Sequence, residues 1–260
     1  MPSARRRADL APAAAAAIAQ GYWKTGSTAL VLWVCGVGPD TVASSSLPPL
    51  PRRPAGLTGS WSRPIHAGAD HVVYLSPHEL EHRFRLTLAP RILRADRIVI
   101  ATPAFAPDVI RPAYAEAVTA FRLLARAGTR PTRRVQITRP VGLHDHQSEI
   151  TIGDIDDVAR YLAPLIHAGT TTLTTDLRVL SAAARGARSG VQLAHQAGVC
   201  ERTARVHRRK LVQELGPLDF DVRMQGLLLT VLPTLIHWEQ ARTIPGGVLK
   251  ALARVASHGG

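Results

Sequence analysis

The chain has 260 residues, 46% of them hydrophobic, enough to bury one large core or two ordinary ones. Its 32 Lys and Arg against 19 Asp and Glu leave a formal net charge of +13, which points to an anionic partner, nucleic acid first. No apolar run reaches the roughly 18–20 residues of a membrane span, and two cysteines, Cys35 and Cys200, cannot supply a disulfide framework or a cysteine-rich metal site, so a reducing cytoplasm is the expected setting.

Residues 1–20, with Arg5, Arg6 and Arg7 ahead of an alanine-rich run, read as a flexible basic arm: Asp9 and Pro12 interrupt the segment, and it lacks the leucine-rich centre of a secretion signal. Ser27 to Cys35 is β-branched and aromatic enough for a buried strand. Prolines, serines and glycines then crowd residues 44–64, the composition of a long loop. "HVVYL" (His71 to Leu75) and "RIVIA" (Arg97 to Ala101) read as strands with a helix between them. From Pro112, apolar residues at Tyr114, Val118, Phe121 and Ala125 predict an amphipathic helix stopped by Gly128. "RRVQITR" (Arg133 to Arg139) is a further strand candidate, and Ile155, Val158, Leu162 and Ile166 predict a helix ending at Gly169.

Strands and helices thus alternate over residues 21–168, which predicts an α/β domain with a small mixed sheet and a sensory or assembly role. From residue 169 the patterning is helical only: up to Gly186, Val191 to Ala197, Glu201 to Leu215, and Val222 to Trp238 with Pro233 inside it. The second domain, 169–260, is expected to be all-α. Its apolar segment from Met224 to Trp238 reads as a cover for the smaller helices, with a dimer surface as the other use.

The segment "GVCERTARVHRRKLVQELG" joins an apolar stripe (Ala204, Leu211, Leu215) to a cationic outer side. From Arg185 to Lys210 there are seven cations and one anion, Glu201, whereas a solvated helix face ordinarily mixes signs in i,i+4 pairs. Such a face is expected to lack acidic partners within the protein and to find its counter-charge in duplex phosphates, with counterions released on contact. Leu193, Ala194 and Ala197 predict a preceding short helix, and Gly198 the tight turn between the two.

These residues resemble the helix-turn-helix of bacterial LuxR-type regulators, whose recognition helix follows a Gly-hydrophobic-x-Glu-Arg-Thr-x-x-x-His run; "LRVLSAAARG" resembles that family's first helix, and the resemblance spans Leu173 to Gly216. "GPLDFDVRMQGLLLTVL" and "AYAEAVTAFRLLARAG" look more like PucR/CdaR-type regulators, where Arg208 replaces a leucine. Either resemblance implies a sequence-specific DNA-binding transcription regulator rather than an enzyme, with no cofactor. It implies Arg202, Arg205, Val206 and Arg209 as groove-facing residues, Cys200 and Thr203 near the backbone, and double-stranded DNA as partner; Lys210 is expected as a further backbone contact, and the N-terminal domain to set homodimer geometry or answer a small-molecule effector.

A different chemistry is written at "HELEH". His-Glu-x-x-His on a helix puts His78 and His82 one turn apart with Glu79 as general base, the pattern of a zinc-dependent, metallopeptidase-like hydrolase. Pro77 marks a helix start there rather than a buried middle, Glu81 adds a charge, and the third ligand would have to be Glu116 or Glu149. His144 and His146 flank Asp145 in a loop pattern that is ordinarily just solvated. "CGVGPDT" puts Thr41 where a dinucleotide-binding loop needs its third glycine, and "GYWKTGST" lacks the Gly-Lys-Ser/Thr order of a phosphate loop.

Overall fold

The computed structural model describes residues 29–37, 64–67, 71–93, 97–128, 136–139, 150–168, 172–241 and 248–258. They form two compact units that divide between Glu149 and Ile150. The expected basic arm, nearly all of the 44–64 loop, Lys24, Glu149 and the His144–His146 pair lie outside the described residues.

The first unit is built on one mixed sheet with strand order β2-β3-β1-β4-β5: β1 Leu30–Gly36, β2 Pro64–Ala67, β3 His71–Pro77, β4 Ile98–Ala101 and the two-residue β5 Gln136–Ile137. β1 is central and antiparallel to both neighbours, with Trp33 opposite Tyr74 on β3 and Ala101 on β4; only β4 and β5 run parallel. The alternation of strands and helices therefore does not produce a parallel sheet, and in the described part of "RRVQITR", residues 136–139, the strand covers Gln136 and Ile137. β2 begins at the last residue of the Pro/Ser-rich stretch, where composition gave no strand signal.

β1, β3 and β4 are buried along their whole lengths, which is why their sequences are continuous apolar runs rather than alternating ones. Their two faces have different occupants. Val31, Trp33, Cys35, Val72, Tyr74, Val99 and Ala101 form a cluster with Phe84 of α1 (Glu81–Leu93), whose ring stacks on Trp33 at 4.8 Å and meets Tyr74 edge-on at 5.7 Å. Trp33 Nε1, buried with them, donates to Ser76 Oγ at 2.9 Å. α2 (Ile110–Ala127) packs on β1 and β4, and its Phe121 ring lies 5.3 Å from that of His71. Gly128, at φ 59°, ends α2 in the left-handed region, as its position after the last apolar residue predicts.

The second unit contains six helices among the described residues: α3 Ile152–His167, α4 Leu173–Ala184, α5 Gly190–Ala197, α6 Glu201–Leu215, α7 Val222–Ala241 and α8 Val248–His258. α3 belongs here and not with the sheet, so the boundary expected at residue 168 moves back to 149. The reason is packing: its buried residues Ile155, Val158, Leu162, Leu165 and Ile166 serve contacts with α6, α7 and α8. A reciprocal capping box of Thr151 and Asp154 starts α3, and Arg223 of α7 reaches both Asp154, at 3.0 Å, and Asp157. α4 packs on α5, α6 and α7, and Gln225 of α7 donates to the Ala184 carbonyl at the end of α4 at 2.7 Å. No helix among the described residues is long and apolar enough to cross a membrane.

Candidate nucleic-acid interface

α5 and α6 are set against each other by three local devices. Ser189 caps α5, its hydroxyl accepting from Gln192 N at 3.1 Å while Gln192 Oε1 accepts from Ser189 N at 3.1 Å. Gly198, at φ 62°, turns the chain, and Val199 N donates back to Ala194 O at 3.0 Å, closing the end of α5. Cys200 then enters α6 with extended backbone. Ala204 and Leu211 are buried and hold α6 from inside, while Leu193, Ala194 and Ala197 do the same for α5.

At 100° per residue, Arg202, Arg205, Val206 and Arg209 fall within an arc of roughly 100° opposite that apolar floor. All four are exposed, Val206 by 56%. The guanidinium groups of Arg202, Arg208 and Arg209 have no hydrogen-bond or ion-pair partner among the described residues. The remaining cations of the segment differ from the expectation of a face without acidic partners. Arg205 pairs with Glu201 one turn back, both exposed, and this pair lies against the start of α5, where a Cβ on Gly190 would meet Glu201 Oε1 at 3.1 Å. Lys210, expected on the DNA backbone, instead donates to Asp176 of α4 at 2.5 Å. It sits on the flank of α6 nearest a buried carboxylate, and a cation there is held far more firmly than by solvent.

Thr203 is half-buried, and its hydroxyl lies 3.0 Å from Cys200 Sγ. Bonds from the Thr203 hydroxyl and backbone hold the exposed Cys200 thiol below the usual thiol range. Buried Cys35 is the opposite case: loss of water pushes its thiol well up, with the Arg97 cation opposing only in part. On the other flank of α6, Arg208 and Val212 line an open cleft of about 400 Å³ with Leu193, Leu218, Arg188 and Asp219. Arg188 ties this side together, donating to Leu218 O at 3.1 Å and facing Asp219 at 3.8 Å.

Two residues of consequence escape a reading of the sequence. Asp176 is fully buried, and His207 Nδ1 lies 2.6 Å from its second oxygen. The available signal was the i,i+3 spacing of His207 and Lys210 together with a lone acid on an otherwise apolar helix face.

The "HELEH" residues are arranged differently from a metallopeptidase helix. His78 and Glu79 lie in a single 3₁₀ turn, α1 starts only at Glu81, and His78 Nδ1 is 3.3 Å from Glu81 Oε2. His78, Glu79 and His82 are exposed, and among the described residues no three His, Cys, Asp or Glu side chains come together as a metal set. Glu116, a candidate third ligand, is buried in α2 with Arg139 at 2.6 Å. Compared with protein-family models, with curated proteins and with solved structures, the chain matches none.

Proposed function

We propose that the second unit is a helix-turn-helix module that binds double-stranded DNA sequence-specifically, making the chain a transcription regulator of the bacterial type. The observation that carries this reading is the outward arc of α6. Arg202 and Arg209 are free of described acidic partners, Val206 is exposed between them, and the helix beneath is held by Ala204 and Leu211. A rigid helix with a cationic, partly apolar outer face suits the major groove, where arginine reads guanine edges and an apolar group meets the thymine methyl. The formal net charge of +13 supplies the attraction that brings a polyanion to it.

On this reading the work of the protein is binding, not catalysis. Arg202, Arg205, Val206 and Arg209 face the groove, and Thr203 meets the backbone. Lys210 leaves the set of phosphate contacts because Asp176 holds it. The sheet-based first unit serves as the sensory or assembly part, answering a small-molecule effector or setting the geometry of a homodimer.

The test is selection of duplexes from a random pool by the full chain, followed by binding at several salt concentrations. Enrichment of one motif, with affinity falling steeply as salt rises, is expected. No binding at about 50 mM salt, where phosphate contacts are strongest, overturns the reading.

A further inference from the structure

One buried carboxylate gathers two bases from the next-but-one helix. Asp176 on α4 is 0% exposed; its Oδ1 lies 2.6 Å from His207 Nδ1 and its Oδ2 accepts from Lys210 Nζ at 2.5 Å. The Thr172 hydroxyl, at the start of α4, lies 3.4 Å from the same Oδ2. His207 and Lys210 are three residues apart, on a flank that is neither the outward arc nor the apolar floor, and their side chains are 12% and 23% exposed.

The apolar floor of α6 does not by itself fix the helix's rotation. Ala204 and Leu211 give non-directional contacts, and Ala204 is small. Two hydrogen bonds to two different oxygens of one carboxylate are directional, and they act one turn apart. A 20° roll of a helix about its axis carries its side-chain ends roughly 2 Å, enough to break such bonds and to take an arginine out of reach of a base edge.

We propose that Asp176 is a positioning residue that sets the roll of α6, with His207 and Lys210 as its two arms, so that Lys210 contributes to sequence discrimination without touching phosphate. This rests on the reading of α6 as the DNA-facing helix.

The experiment compares the full-length chain with Asp176→Asn, Lys210→Met and Arg209→Met. For each, affinity is measured for the selected duplex and for a scrambled one, along with the slope of log K against log salt. Thermal unfolding of each variant is recorded alongside. The expected result is a loss of about tenfold in the ratio of specific to scrambled binding for Asp176→Asn and for Lys210→Met. Both keep the wild-type salt slope, while Arg209→Met, which removes a groove-facing side chain directly, also lowers the ratio.

An unchanged ratio in folded Asp176→Asn overturns the inference, as does a slope shallower by about 0.9 in Lys210→Met, the mark of a lost phosphate contact. If Asp176→Asn does not fold, Lys210→Met decides through its ratio and slope. A wild-type chain that binds neither duplex removes the DNA reading and this inference with it. A wild type that discriminates, alongside an Asp176→Asn that does so equally, removes this inference alone.

Discussion

Arg178 closes over Gly198. Its guanidinium donates to the Gly198 carbonyl at 3.2 Å and stands 2.5 Å from the point a Cβ on that glycine would occupy. The turn between α5 and α6 thus depends on glycine twice, for its left-handed φ of 62° and for the space that the α4 arginine uses.

Gly198→Ala is therefore expected to destabilise the second unit by about 1–2 kcal/mol through backbone strain, and to displace Arg178 from the turn carbonyl. Chemical denaturation measures the first effect. Arg178→Met relieves the crowding but not the strain, so Gly198→Ala in that background is expected to cost less than in the wild type. Equal costs in the two backgrounds would show that the guanidinium does not crowd the site.

Glu201→Gln should strengthen DNA binding. The Glu201–Arg205 pair is exposed at both ends, so breaking it costs the fold little, about 0.3–0.5 kcal/mol. The change frees Arg205 and removes the only acid on the outward side of the basic segment. Tighter binding to selected and scrambled duplexes alike, read by fluorescence anisotropy, is the expected outcome; weaker binding would mean that Glu201 itself orients Arg205 for its contact.

Asp154 makes acid a selective stress on the second unit. Partial burial pushes its carboxyl up, but the Thr151 backbone and hydroxyl bonds and the Arg223 guanidinium together outweigh that and hold it below the usual carboxylate range. A depressed folded value means that the stabilisation is complete above the unfolded value, about 3.9, and is lost as pH falls through the folded one. Asp154→Asn is expected to flatten the acid limb of stability against pH, with its largest deficit near neutrality and convergence with the wild type at the acid end. Parallel curves would place the acid sensitivity elsewhere.

Cys200 should alkylate with a midpoint below that of an ordinary thiol. The Thr203 hydroxyl is the leading cause of its lowered value, so Thr203→Val moves the midpoint up. Cys35 is buried and does not compete in the native protein. Iodoacetamide rates across pH, with the site confirmed by mass spectrometry, decide the matter; the same midpoint in both proteins would exclude the hydroxyl as cause.

α4, α5 and α6 were legible because each pairs a 3.6-residue apolar period with a glycine just past its end, Gly186, Gly198 and Gly216; α7 was outlined by its apolar run without a stop and extends to Ala241, and α8 had no outline of its own. The strands β1, β3 and β4 were legible as apolar runs, but their directions were not, since the chain between them can return a strand either way. The assignment of α3 was lost for a related reason. A helix's period says which side is buried, not against what, and its partners α6, α7 and α8 all lie later in the chain. In the candidate site, the arc Arg202–Arg209 follows from helical geometry. The attachment of Lys210 to Asp176 spans 34 positions, and the spacing of His207 and Lys210 and the lone acid on α4 do not by themselves say that the two helices meet there.

Among the described residues, the innermost strand of the first unit precedes every strand it pairs with. β1 has partners on both edges, β3 and β4, and every one of their residues follows it in the chain. A nascent polypeptide can therefore pair β1 with β3 once His71–Pro77 has emerged, but the other edge of this apolar ribbon stays open to strand addition from another chain until Ile98–Ala101 has followed.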